Sequence, residues 1–307
     1  MQFLCYNKGE VKKVAKSGFV AVIGLPNVGK SSIINSLVGQ KVSITGPKPQ
    51  TTRNKILGIK NVGDAQIVFV DTPGKTNQKS ELGKYLSQSI KSGMEGADVL
   101  LAVVDGNKMG EGDEKLLKSL SNQKTPVVLA INKMDLFKFE KIYPKLKELG
   151  AMNFAAIVNV SAKTKENLDV LEKEIIKLLP EGLHYYDDEA VTDKSEKFMT
   201  AELVREKSLL FLQQEIPHGI AVDVPLFEEK QNIVNINVDI IVSKPRHKSI
   251  VIGKGGEMLK KIATSARKDI EEMLGKKVFL TCFVKVEENW TDDKLQLKSI
   301  GYDINNI

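Results

Sequence analysis

An α/β protein in two unlike parts is what the sequence predicts, and three observations predict it. From Phe19 to about Leu179, short β-branched apolar runs alternate with helical stretches. That alternation belongs to a mostly parallel sheet covered by helices. From Thr200 onward the period changes, and runs with an apolar residue at every second position lead into a glycine-rich helical corner. Between the two lies "EGLHYYDDEAVTDKSEKF", acidic, turn-rich and without period. The expected boundaries are residues 1–180 for the first domain, 181–198 for a linker and 199–307 for a second, α+β domain.

In the first domain the expected strands are Phe19–Ile23, Lys55–Ile59, Gln66–Val70, Val99–Val104, Val127–Ile131 and Ala155–Val160. Helical patterns separate most of them, including Lys30–Val38 and Glu166–Leu179, the latter stopped by Pro180. In the second domain Thr200–Gln214 reads as a helix. Ile220, Val222, Val224 and Leu226 are expected to share one strand face. Val234, Ile236, Val238, Ile240 and Val242 alternate with Asn235, Asn237 and Asp239, the period of a half-buried antiparallel strand. A short helix, His247–Ile252, is followed by the loop Gly253–Gly256. The next helix carries Leu259, Ile262, Ala266, Ile270 and Met273 on one face and closes at Gly275. Val278 to Val286 alternates again, so the order is α-β-β-α-α-β.

Composition bounds the function classes. Hydrophobic residues make up 42% and charged residues 27% of the 307 positions, ordinary for a globular protein of about two domains. A net charge of +6 is modest, so its placement matters more than its size. Cys5 and Cys282 stand at opposite ends and form no disulfide framework or CxxC site. His184, His218 and His247 are too scattered for a His-rich metal site. The first residues, "MQFLCYNKGEVKKVAKSG", lack the apolar core of a signal peptide, and no apolar run reaches the ~18 residues of a membrane span. The expectation is a cytoplasmic protein with reduced thiols.

Four motifs carry chemistry. "GLPNVGKSS" (Gly24, Leu25, Pro26, Asn27, Val28, Gly29, Lys30, Ser31, Ser32) fits a phosphate-binding loop and stands between a strand and a helix. Its N–H groups and the helix N-terminus face the phosphates, Lys30 reaches the terminal ones, and the Ser31 hydroxyl binds Mg²⁺. "DTPGK" (Asp71, Thr72, Pro73, Gly74, Lys75) ends another strand. An acid there holds Mg²⁺ through water, and the glycine N–H meets the terminal phosphate. "NKMD" (Asn132, Lys133, Met134, Asp135) ends a third. A carboxylate such as Asp135 accepts two hydrogen bonds from N1–H and the 2-amino group of guanine, donors that adenine lacks. "SAK" (Ser161, Ala162, Lys163) follows the sixth strand, where an N–H can meet guanine O6. All four sit at carboxyl ends of strands, where open α/β sheets bind ligands. The expected ligands are GTP or GDP with Mg²⁺, and the expected reaction is GTP hydrolysis.

On these residues, Val20 to about Lys163 resembles a Ras-like P-loop GTPase, and "KPQTTRNKILGI" (Lys48–Ile59) is similar to the TrmE–Era group of ribosome- and tRNA-associated GTPases. The resemblance implies that Thr52, rather than Thr51, is the switch threonine on Mg²⁺, and that Lys30, Thr52 and Gly74 serve catalysis. It also implies a K⁺ ion at Asn27, as in some members of the group. Lys75 departs from the pattern: Ras-type enzymes place a water-orienting glutamine there, and related proteins often an apolar residue. A lysine cannot orient water as an amide does, so intrinsic hydrolysis is expected to be slow.

The loop "GKGG" (Gly253, Lys254, Gly255, Gly256) joins two helices on a three-stranded sheet, an arrangement similar to a KH domain of the α-β-β-α-α-β type. In KH modules a GxxG loop clamps the backbone of single-stranded RNA. The RNA-binding residues expected are Gly253, Lys254, Gly255 and Gly256 with Lys248, Lys260 and Lys261, inside a basic neighbourhood of Lys244, Arg246, His247, Arg267 and Lys268. A second nucleotide loop is excluded, because no Ser or Thr follows a Gly-Lys pair and no core parallel strand precedes it. Over nearly its whole length the chain resembles the Era family. That resemblance implies a monomer that binds the 3′ region of 16S ribosomal RNA on the 30S subunit, acts in its assembly, contacts the membrane peripherally and does not bind DNA. Two other readings stay open on sequence: a GTPase acting on tRNA, and a membrane or signalling switch with a protein-binding second domain. Trp290 is read as a packing residue that could instead stack on a base.

Overall fold

The first domain is built on strands β1 (Lys16–Ile23), β2 (Ile56–Val62), β3 (Ala65–Asp71), β4 (Val99–Asp105), β5 (Val127–Asn132) and β6 (Ala156–Asn159). In the computed structural model, which describes residues 15–46, 48, 51–74, 80–137, 143–212 and 219–302, they form one sheet in the order β2-β3-β1-β4-β5-β6. Every neighbouring pair is parallel except β2 with β3. Strands β3, β4 and β5 are buried along their whole length, which is why they read as continuous apolar runs. Helices α1 (Lys30–Val38), α2 (Glu81–Met94), α3 (Glu111–Leu120), α4 (Tyr143–Gly150) and α5 (Leu168–Leu178) complete the layers. One apolar cluster joins Val20, Ile67 and Leu101 to Ile33 of α1 and Leu171 and Ile175 of α5. Another joins Ala21, Leu100 and Leu129 to Leu117 of α3 and Leu149 of α4. The strand order reverses about β1, so the crevice that such sheets offer to ligands opens where β1 runs into α1.

The second domain contains α6 (Glu196–Phe211), β7 (Ile220–Glu229), β8 (Ile233–Val242), α7 (Pro245–Ile252), α8 (Glu257–Leu274), β9 (Lys277–Val286) and α9 (Lys294–Ser299). Its sheet runs β7-β8-β9. Val234, Ile236, Val238, Ile240 and Val242 face a core shared with Val251 of α7 and with Ile262, Ala266 and Ile270 of α8, as their period requires.

Several expectations need correction. Strand β8 is antiparallel to β7 but parallel to β9, so it is not a purely antiparallel strand. Leu226 does not share the face of Ile220, Val222 and Val224. The register shifts between Asp223 and Leu226, and Leu226 is left exposed. Helix α6 begins four residues before Thr200, because Ser195 caps it by accepting from the N–H of Phe198 at 3.2 Å. Its expected end at Gln214 lies outside the described residues. Helix α9 was not anticipated. Asp293 caps it, accepting from the N–H groups of Leu295 and Gln296.

The segment expected as a linker is strapped to the first domain. Val191 accepts a hydrogen bond from the N–H of Ile59, Thr192 bridges to Gly58, and Asp193 accepts from the N–H of Leu57. Gln66 is tied on both sides of Tyr186, its Oε1 accepting from the Tyr186 N–H and its Nε2 donating to the Tyr186 carbonyl.

Trp290 is fully buried and joins Tyr302, Leu297, Ala221 and Ile241 to Leu82, Tyr85 and Leu86 of α2. It packs between the domains and is not available to stack on a base. No helix among the described residues is long and apolar enough to cross a membrane.

Candidate functional site

Gly29 caps α1 with φ 100°, a left-handed conformation that favours glycine, and a Cβ there would stand 2.3 Å from Asn132 Nδ2. At Gly24 a Cβ would meet the Val103 carbonyl at 2.4 Å. The loop therefore wraps tightly against β4 and β5 only because these positions carry no side chain. Val28 turns into the core, and its carbonyl accepts from Asn132 Nδ2 at 2.9 Å. Lys30 Nζ donates to the carbonyls of Gly24 (3.1 Å) and Leu25 (3.2 Å). Burial pulls its pKa below the usual lysine value, against the opposing charge of Asp71. A desolvated ammonium among carbonyls is poised for a phosphate anion.

Three oxygen groups meet beside the loop. Ser31 Oγ donates to Asp71 Oδ2 at 2.7 Å, and Thr52 Oγ1 lies 3.0 Å from Ser31 Oγ and 3.3 Å from the same Asp71 oxygen. Asp71 is fully buried, and burial lifts its pKa, against the Ser31 hydrogen bond and the charge of Lys30. Its Oδ1 and the nearby Ser43 Oγ are both buried without a hydrogen bond of normal geometry among the described residues. An all-oxygen set around a carboxylate short of partners fits a hard cation such as Mg²⁺. Thr51 spends its hydroxyl inside the loop, donating to the Lys48 carbonyl at 2.7 Å, which favours Thr52 as the ligand.

Ile44, Thr45, Gly46, Lys48, Thr51 and Thr52 close over Pro26, Asn27, Gly29, Lys30, Ser31, Ser32 and Gly74. The space between is about 60 Å³. That is well under the ~300 Å³ of a small-molecule site, so the cap made by Ile44, Thr45, Gly46 and Lys48 has to move aside to admit a nucleotide. Thr72 is not part of this space; its hydroxyl donates to the Val22 carbonyl and braces the sheet. Lys75 lies outside the described residues.

The residues of the third and fourth motifs are locked together. Asn132 Oδ1 accepts from the N–H of Ala162 at 3.1 Å while its Nδ2 holds Val28, so one buried side chain ties two loops. Lys133 takes a left-handed φ of 68° and donates to the Asn27 carbonyl and to Asp105 Oδ2, each at 2.7 Å. Met134 joins by backbone only, its N–H donating to the Val160 carbonyl. Ser161 Oγ donates to Asp135 Oδ1 at 2.7 Å, which fixes the carboxylate, and Lys163 Nζ stands 4.0 Å from Oδ2. Asp105 was missed on sequence. The available signal was its place at the carboxyl end of β4, level with the other motifs.

In the second domain Gly253, Gly255 and Gly256 have φ of 75°, 60° and 83°, a left-handed run that favours glycine. The Gly253 N–H closes α7 on the Ser249 carbonyl, and Gly256 begins α8. Lys254 is exposed at the tip, and Lys244, Arg246, Lys248, Lys260, Arg267 and Lys268 are exposed on or beside the flanking helices α7 and α8. Lys261 is exposed too, but its ammonium lies over the Phe211 ring at 4.5 Å. His247 is buried and does not belong to the basic surface.

Comparison with known proteins agrees with this division. Residues 19–133 match the family described as 50S ribosome-binding GTPase, and residues 215–291 match the KH domain. A relative described as GTPase Era from Caldicellulosiruptor saccharolyticus is 46% identical over 298 residues, covering 95% of this chain and 99% of its own. Another, from Caldanaerobacter subterraneus subsp. tengcongensis, is 44% identical over 293 residues, covering 94% and 98%. A crystal structure of Era in complex with MgGDPNP and nucleotides 1506–1542 of 16S ribosomal RNA superposes with a TM-score of 0.89 at 37% identity, covering 94% of this chain and 99% of that one. A point variant of Aquifex aeolicus Era bound to GDP·AlF4⁻ gives 0.88, also at 37%.

Proposed function

Because this chain belongs to the Era family of GTPases, we propose that its GTP hydrolysis governs its hold on the 3′ region of 16S ribosomal RNA during assembly of the small ribosomal subunit. The observation that carries this is the double attachment of loop 45–53. One side of it meets the phosphate cradle through Thr52. The other meets the RNA-facing domain: Glu206 accepts from the N–H of Thr45 at 2.9 Å, and Lys48 Nζ donates to the Leu212 carbonyl. A loop that closes on GTP and opens after hydrolysis would load and release those second-domain contacts.

In hydrolysis the backbone from Gly24 to Ser31 wraps the phosphates, and Lys30 exchanges the Gly24 and Leu25 carbonyls for phosphate oxygens. Ser31 and Thr52, with Asp71 through water, would hold Mg²⁺, which supplies neutralising charge during phosphoryl transfer. Asn132, Lys133, Asp135, Ser161, Ala162 and Lys163 place the base. With lysine after Gly74, the attacking water is held by backbone around Thr52 and Gly74, and turnover is slow. Asn27 would add a K⁺ ion at the phosphates. Equal turnover in K⁺ and Na⁺ buffers, with Asn27→Ala unchanged in both, removes that ion from the scheme.

The RNA would run over Gly253–Gly256 with its phosphates against Lys248, Lys254, Lys260 and Lys261. The protein would work as a monomer in the cytoplasm; peripheral membrane contact rests on family resemblance alone. The test is binding of the full-length protein to a single-stranded RNA copied from the 16S 3′ end, with a GTP analogue and with GDP, across a salt series. Affinity should depend on the nucleotide and fall steeply with salt. Identical affinity in both nucleotide states would refute the coupling.

A further inference from the structure

The second domain holds the chain on both sides of Thr52, by the Thr51 carbonyl before it and by the Arg53 side chain after it. We propose that Arg205, gripped by Glu202, is a positioning residue for GTP hydrolysis: it sets Thr52 from behind, so that the second domain completes the active site of the first. The inference rests on Thr52 being the Mg²⁺ ligand.

Arg205 is 1% exposed. Glu202 holds it at two points, accepting from Nε at 2.7 Å and from one terminal nitrogen at 2.6 Å. That same terminal nitrogen donates to the carbonyl of Thr51. A planar guanidinium fixed on two sides has little freedom left, so the carbonyl it holds is fixed as well. On the far side of Thr52, Arg53 is equally buried. It donates to the Ile220 carbonyl at 2.6 Å and lies 5.7 Å from the Trp290 ring centre and 5.9 Å from that of Tyr302. Thr52 thus hangs between two buried arginines, and both anchors reach into residues beyond 195. Neither arginine lines the phosphate space, and each spends its guanidinium on partners behind Thr52.

A purely structural role for the pair is the competing account. Buried ion pairs are a poor source of stability, because desolvation offsets the attraction, and an apolar pair would serve α6 as well. An apolar pair could not hold the Thr51 carbonyl.

The test uses full-length protein carrying Arg205→Lys, or Arg205→Met together with Glu202→Leu, with Thr52→Ala as reference. Each is loaded with Mg²⁺ and a β,γ-imido GTP analogue. Three readouts are taken: the Mg²⁺ concentration for half-maximal retention of the analogue, the γ-phosphate ³¹P resonance, and GDP retention. The double variant should need roughly tenfold more Mg²⁺, the effect of losing one charge-assisted hydrogen bond. It should also show a second γ-phosphate resonance and retain GDP within about twofold of the parent. Arg205→Lys, which keeps the charge beside Glu202, should fall between the two and carries the test if the double variant does not fold. Parent-like Mg²⁺ dependence in the arginine variants, with Thr52→Ala impaired, overturns the proposal. So does an equal loss of GDP and analogue, which a structural role predicts. If Thr52→Ala itself changes nothing, the metal assignment has failed instead.

Discussion

Asn132→Ala is expected to separate folding from nucleotide binding. The side chain is 2% exposed and makes two hydrogen bonds, to the Val28 carbonyl at 2.9 Å and from the Ala162 N–H at 3.1 Å. Alanine leaves a carbonyl and an N–H unpaired beside the cradle. A buried group left without its partner costs about 1–3 kcal/mol. The vacated amide volume can admit water here, so the lower half of that range applies, for a loss of about 2–4 kcal/mol in nucleotide-free stability. Binding suffers separately, because the phosphate loop and the 161–163 loop must be brought back into register around the ligand. An added cost of about 1.4–2.8 kcal/mol corresponds to a 10- to 100-fold weaker affinity for GDP. Asn132→Asp keeps an acceptor for Ala162 but sets a carboxylate against the Val28 carbonyl, so it should not rescue. Urea unfolding of nucleotide-free protein measures the first quantity and titration with a fluorescent GDP analogue the second. A variant that loses stability yet binds GDP like the parent would show that the two loops are placed independently and that the tie is only structural.

Asp135→Asn should lower GTP affinity by roughly 10³-fold or more, since the amide turns a donor toward guanine donors. Xanthosine triphosphate, with an acceptor at that ring position, should bind in its place; undiminished GTP binding would remove Asp135 from base reading. Gly255→Asp is the clean test of the RNA loop. A Cβ there meets nothing within 4 Å, and aspartate tolerates φ of 60° at about 1 kcal/mol. RNA affinity should drop at least about tenfold, with RNA-free GTP hydrolysis unchanged; retained RNA binding would mean the clamp lies elsewhere. Burial pushes the Cys282 thiol up to about 12, from 9.0 in the open chain. Above pH 9 the unfolded chain therefore releases a proton that the native protein keeps, and stability falls as pH rises. The slope is at most about 1 kcal/mol per pH unit after allowance for partial exposure. Urea midpoints at pH 9 and 10 should show this limb, and Cys282→Ala should flatten it.

What was legible in the sequence was local. Helix α1 is found at its expected bounds because Gly29 and Gly39 punctuate both ends. The nucleotide motifs were legible because ligand chemistry dictates residue types within one strand-to-helix turn. The fold of the second domain followed from its period, but the parallel pairing of β8 with β9 did not, since a period of two says nothing about direction. The turned Leu226 had a readable sign in Pro225, a residue that strands accept at bulges and edges. The burial of His247 and the inward turn of Trp290 had none. The hold of Arg205 on Thr51 spans 154 positions, and no spacing rule reaches that far.

The strap over β2 has a practical consequence. Strand β2 is an outer strand of the first sheet, and the backbone groups it turns away from β3 are taken up at Leu57, Gly58 and Ile59 by residues 191–193. A first domain cut after Pro180 would bare that row of donors and acceptors, an open invitation to strand-to-strand association between copies. The smallest soluble nucleotide-binding fragment of this chain should therefore end beyond Asp193, and a shorter one should aggregate even though it keeps all four nucleotide motifs.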